Sequence, residues 1–139
     1  MKKLLASLSV VVMAVIFCLF SPTFAKFAYA QGAYYEVKES QFVAGVWGTN
    51  NDGDEIVIAL YDNGSQDIAY ITNGTVSFYD TYTVTSTSVT GASEAERFNI
   101  GEIAFTYCEV CGGRYILTDD GDIYAVTDIT AYEVEQIRK

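Results

Sequence analysis

The chain of 139 residues has no histidine, one proline and three cysteines, and it is short of positive charge, with eight lysines and arginines against eighteen aspartates and glutamates. Each shortage excludes something. Without histidine the commonest general base is missing, as are the usual partner of a serine or cysteine nucleophile and the nitrogen ligands of a zinc site. Eighteen acids leave a glycosidase-type carboxylate pair open, yet no pair stands out by its spacing, and the expectation is a protein that is not an enzyme and uses no cofactor. The single proline, Pro22, lies near the N-terminus, so nothing later in the chain interrupts a β-ladder.

Positive charge is also unevenly placed. Lys2, Lys3 and Lys26 come before residue 31, which leaves Lys38, Arg97, Arg114, Arg138 and Lys139 to face all eighteen acids. Such a surface repels phosphate backbones and anionic headgroups, so neither nucleic-acid nor membrane-surface binding is expected. Its plainest use is to keep a secreted protein soluble.

The first residues mark the chain for export. Met1-Lys2-Lys3 gives a positive start, residues 4–20 are almost unbroken apolar sequence, and Ala28-Tyr29-Ala30 puts small residues at the two positions a signal peptidase reads. Residues 1–30 therefore read as a signal peptide, cut after Ala30 or, in a rival register with Thr23, after Ala25. The apolar run is shorter than the ~20 residues a membrane-spanning helix needs. Cys18 follows Phe17, which is too bulky for a lipoprotein site. The expected product is secreted or periplasmic, with a lead-in over residues 31–41 and one domain over residues 42–139, long enough to bury a core.

That domain reads as strands and turns throughout. Residues 42–49 carry the only tryptophan, Trp47, and open the series. Asn50-Asn51-Asp52-Gly53-Asp54 forms a hairpin loop, and residues 55–61, apolar at nearly every position, form a strand with both faces partly covered. Further strands are expected over 67–72, 75–80, 82–89, 97–107, 114–118 and 122–127, with Asn73-Gly74 as the strongest two-residue hairpin signal. Residues 129–137 suit a strand through Tyr132 and Val134, or one helical turn through Val134 and Ile137; the strand is preferred. Turn signals about every ten residues set the rhythm of an antiparallel meander closing into a barrel or sandwich. The class is all-β.

Gly45-Val46-Trp47 on the first strand of such a meander resembles the Gly-x-Trp signature of the lipocalin and calycin group. Leu60-Tyr61-Asp62-Asn63-Gly64 and Tyr82-Thr83-Val84 are similar to segments of small secreted bacterial lipocalin-like domains. The resemblance spans about residues 42–135 and implies an up-and-down barrel of about eight strands. It also implies a basic residue packed over the Trp47 ring, with Arg114 and Arg138 as the candidates.

Cys108-Glu109-Val110-Cys111-Gly112-Gly113 is the sharpest local pattern. A structural zinc site needs four ligands, and no second pair exists to supply them. A redox dithiol wants a helix N-terminus, whereas this pair follows a strand pattern and precedes glycines. In an exported protein the expectation is a structural disulfide between Cys108 and Cys111, worth about 2 kcal/mol for so short a loop. The acidic turns around Asp52, Asp62 and Asp120 offer oxygen ligands to calcium but lack the EF-hand spacing, so no metal is expected. Asn63-Gly64-Ser65 and Asn73-Gly74-Thr75 match glycosylation acceptors, but turn chemistry explains both.

The resulting expectation is a secreted or periplasmic binding module. One reading puts a small apolar ligand in the barrel mouth, lined by some of the ten tyrosines after residue 30. A second is a protein-interaction module resembling the small calycin-fold protease inhibitors, with the 31–39 lead-in touching the partner. A third is a structural cell-surface protein without ligand.

Overall fold

The computed structural model describes residues 35–138, so the expected signal peptide, both cleavage sites and the start of the lead-in lie outside the described residues. Eight strands follow one another: β1 (Phe42–Thr49), β2 (Glu55–Asp62), β3 (Asp67–Thr72), β4 (Ser77–Ser86), β5 (Glu94–Ile100), β6 (Ile103–Val110), β7 (Gly113–Thr118) and β8 (Ile123–Asp128). Each is antiparallel to the next, and β8 returns to pair with β1. The sheet is thus a closed up-and-down barrel, an architecture that leaves no open strand edge. This agrees with a calycin-like barrel as architecture.

The strand boundaries differ from the sequence reading in three places, and each has a local cause. Residues 75–80 and 82–89 are not two strands: β4 runs unbroken through them, pairing with β3 by residues 77–81 and with β5 by residues 82–86. Asn73-Gly74 accordingly belongs to a four-residue loop, in which the Asn73 side chain accepts hydrogen bonds from the Thr75 and Val76 amides at 2.9 and 2.8 Å. Residues 97–107, read as one strand, are two. Gly101 at φ +59 turns the chain between Ile100 and Ile103, as the first central position of a II′ hairpin requires.

The third difference is the C-terminus, where residues 131–138 are a helix, α1 (Ala131–Arg138), and not a strand. Thr130 and Glu133 explain it. The Glu133 amide donates to Thr130 Oγ1 at 3.1 Å, while the Thr130 amide donates to Glu133 Oε1 at 2.9 Å. This reciprocal Thr-x-x-Glu capping box satisfies two amide donors at the start of the helix and outweighs the alternation of Tyr132 and Val134.

Two apolar layers hold the fold. Inside the barrel, alternate residues such as Ile58, Ile71, Phe78, Ile103, Phe105 and Ile116 form one buried cluster. Outside it, Val57, Ala59 and Tyr61 of β2 and Ile68 and Tyr70 of β3 pack under Val37, Ile129 and Val134. Both faces of β2 are therefore covered, which is why its sequence is apolar at nearly every position. Gly45 lies under the same lid: a Cβ there would sit 3.0 Å from Ile129 Cγ2 and 3.1 Å from the Phe42 ring.

Candidate functional site

Antiparallel order sends alternate loops to opposite ends of the barrel. Loops 50–54, 73–76, 101–102 and 119–122 gather at one end, and Ile56, Ile71, Phe78, Ile100, Ile103 and Tyr124, beside those loops, are all buried. That end is sealed by side chains. Burial, followed by the charges of Asp122, Asp54, Asp120 and Asp52, pushes the Tyr124 hydroxyl far above its ordinary range, and burial with Asp120, Asp54 and Asp52 pushes the Asp122 carboxyl up.

The other end carries loops 63–66, 87–93 and 111–112, and the side chains there are larger and less covered. Leu60, Tyr82, Phe98 and Tyr107 pack on the interior cluster yet are only partly buried. Register explains how they meet: Tyr82 lies opposite Ile100, Phe98 opposite Phe105 and Tyr107 opposite Ile116, so all point inward. Tyr82 stacks on Phe98 at 6.4 Å between centroids and 28° between planes. Phe98 in turn stacks on Phe105 at 5.2 Å and 7°. Three rings thus stack in a row, two of them partly buried and the third, Phe105, fully buried in the core.

The rim of this end is charged. Asp62 and Asp67 stand directly opposite each other at the ends of β2 and β3, in phase with the inward Leu60 and Ala69. Burial, then Asp67 and Asp62, hold the Tyr82 hydroxyl above its ordinary range. Across the mouth Arg114 pairs with Asp128 at 2.8 Å. Burial raises the Tyr107 hydroxyl, with Arg114 opposing and Glu109 and Asp128 adding to the rise. Half-exposed stacked rings in a carboxylate rim can hold a small molecule by its apolar surface and select it by charge.

The residues singled out from sequence are scattered relative to this mouth. Trp47 faces outward: it lies opposite Val57, which belongs to the outer layer, and it is 40% exposed. Gly45 shares that outer face. Arg114 sits on the rim with Asp128. Arg138 lies on the outer layer with its guanidinium over the rings of Tyr61 and Tyr79, 5.7 and 5.5 Å from their centroids. Its Nε donates to Tyr79 Oη at 2.8 Å, another nitrogen donates to the Val37 carbonyl at 3.3 Å, and it pairs with Glu135. Arg138 does cover aromatic rings, but those of Tyr61 and Tyr79 and not that of Trp47.

The expected Cys108–Cys111 disulfide is not formed; both thiols are free, Cys108 buried and Cys111 exposed. Strand β6 stays extended as far as Val110, and at about 3.3 Å per residue that puts the two Cα atoms roughly 9 Å apart. A disulfide requires roughly 4.4–6.8 Å. Cys111 (φ +51) and Gly112 (φ +83) instead form the two-residue loop of a hairpin in which both central residues are left-handed. Burial pushes the Cys108 thiol up, which suppresses thiolate and leaves no redox-poised pair.

Sequence alone does not bring the aromatic stack together, because a single strand over residues 97–107 puts Phe98 and Phe105 on opposite faces. With Gly101 recognised as a turn, Phe98 falls opposite Phe105 and beside Tyr82, and the alternation of Tyr82, Val84 and Ser86 already puts Tyr82 on a single face. Compared with protein-family models, curated proteins and solved structures, the chain matches none of them.

Proposed function

We propose that this protein is a non-catalytic, secreted or periplasmic binding module that seats a small ligand with an apolar body at the open end of its barrel. The observation that carries the reading is the Tyr82, Phe98 and Phe105 stack, partly buried at Tyr82 and Phe98 and fully buried at Phe105. A ligand there sits shallowly on the rings, because the opposite end is filled by Ile56, Ile100, Ile103 and Tyr124. Native mass spectrometry of the protein from its own culture fluid or periplasm tests this. The expected result is a reproducible added small-molecule mass that Phe98→Ala removes. A bare polypeptide, together with no heat of binding across a panel of small aromatic and aliphatic ligands, overturns it.

A second reading is a protein-interaction module, and one observation favours it. On the outer face of β1 and β8, beyond the part of β1 that lies under Ile129, Trp47 and Ile123 are 40% and 56% exposed. The lead-in is a poor partner contact in comparison, since Val37 is buried against the barrel. Inhibition of a secreted protease that Trp47→Ala abolishes, with Phe98→Ala leaving it intact, would select this reading over the first.

A further inference from the structure

Two carboxylates at the mouth of the barrel face each other, and among the described residues no lysine or arginine pairs with either. Asp62 and Asp67 are directly paired across the β2–β3 hairpin on its inward face, an arrangement in which like charges repel. Asp62 is partly employed in the turn, accepting a hydrogen bond from the Gly64 amide at 2.9 Å. The Asp67 carboxylate makes no hydrogen bond or ion pair among the described residues. The three arginines are engaged elsewhere: Arg97 with Asp119, Arg114 with Asp128 and Arg138 with Glu135. Lys38 lies in the lead-in, exposed beside Val37 of the outer layer.

We infer that the open end selects a positively charged ligand, an amine or quaternary ammonium carried on a planar or apolar body. The inference rests on the mouth being the binding site. Two attractions converge there. The face of an aromatic ring is electron-rich and attracts a cation placed over it, and Tyr82, stacked on Phe98, carries a partly buried ring beside Asp62 and Asp67. Asp62 and Asp67 add charge of the right sign beside that same ring, whose hydroxyl is held up by burial first and then by Asp67 and Asp62. A cation seated on Tyr82 relieves the repulsion between the two carboxylates, a neutral ligand leaves it, and an anion adds to it. Because water and salt screen exposed charges, the selection acts only on a ligand in contact with the ring, and it amounts to about tenfold over a neutral analogue.

A titration followed by amide proton–nitrogen NMR, using the chain from residue 31 onward, tests this with three matched probes: 2-phenylethylammonium, 2-phenylethanol and phenylacetate. The expected result is that the ammonium shifts the amides around 62–67, 82 and 98 and binds about tenfold tighter than the alcohol. Phenylacetate should bind more weakly than either. In the Asp62→Asn, Asp67→Asn double variant, whose spectrum also reports that the barrel is intact, the preference should vanish while the alcohol binds as before. If alcohol and ammonium bind equally and Phe98→Ala abolishes both, the charge inference falls and the mouth remains the site. Tighter binding of phenylacetate overturns the inference in the same way. If no probe perturbs the mouth, both the inference and the reading beneath it fall.

Discussion

At the scale of single residues the barrel depends most sharply on Gly48, which has no freedom to be anything else. A Cβ there would fall 2.1 Å from the Ala125 carbonyl oxygen and 2.6 Å from Val126 Cγ1, so any side chain forces β1 away from β8 at the seam that closes the sheet. Gly48→Ala should cost about 2–3 kcal/mol, read as a lowered urea midpoint, because backbone atoms and not a flexible side-chain tip stand in the way. An unchanged midpoint would mean that the seam yields freely. The cysteines make a second residue-scale prediction. A thiol reagent should label Cys111 quickly in the native protein and Cys108 only on unfolding, since the first is exposed and the second buried with a raised thiol. A denatured chain that takes up no label would show the two sulfurs bonded and contradict the extended β6.

At the scale of elements, α1 and the sealed end respond to acid in opposite directions. The Thr130 backbone and side-chain hydrogen bonds hold the Glu133 carboxyl below its ordinary value. A group depressed in the folded state contributes stability that is present above its unfolded value and lost as pH falls through the folded one. The cap should therefore weaken below about pH 4, with the helical circular dichroism signal falling there and Glu133→Gln flattening the response. Thr130→Ala removes the cap at every pH, at a cost of about 1 kcal/mol. Asp122 behaves inversely. Its carboxyl is raised by burial and by Asp120, Asp54 and Asp52, so at neutral pH its charge opposes folding, and protonation on the way down towards about pH 4 relieves that opposition. Asp122→Asn should raise the melting temperature at pH 7 and remove the gain on acidification; a lower melting temperature would show that the charge is needed where it is. The capping box was present in the sequence as Thr130-x-x-Glu133, but the alternation of Tyr132 and Val134 masked it. Hairpins marked by asparagine and glycine were legible because those side chains bond their own turns, as Asn63 does to Ser65 and Gln66. The Gly101 turn was harder to see, since Glu102 and Ile103 after it look like ordinary strand.

At the scale of the whole molecule, closure and the strand rhythm were readable because inward and outward residues alternate on nearly every strand. Pairings between distant residues were not. Nothing local in Tyr79 or Val37 says that Arg138 will donate to both across 59 and 101 positions of the chain. Nor does anything local say that the apolar outer face of β2 and β3 will be roofed by the lead-in and α1 together. That roof makes the lead-in part of the fold, and so removal of residues 31–39, which takes away Val37, should destabilise the barrel. Burial of a valine is worth about 1.5–3 kcal/mol, and Arg138 loses its carbonyl acceptor as well. Chemical denaturation of the shortened chain should show the loss, while the NMR shifts of Tyr82 and Phe98 stay in place, because the roof and the mouth lie on different faces of the sheet. A shortened chain as stable as the whole would mean that the outer layer is applied to a barrel already complete. A shortened chain that also loses the Tyr82 and Phe98 shifts would mean that roof and mouth are coupled through β2, whose alternate residues belong to both.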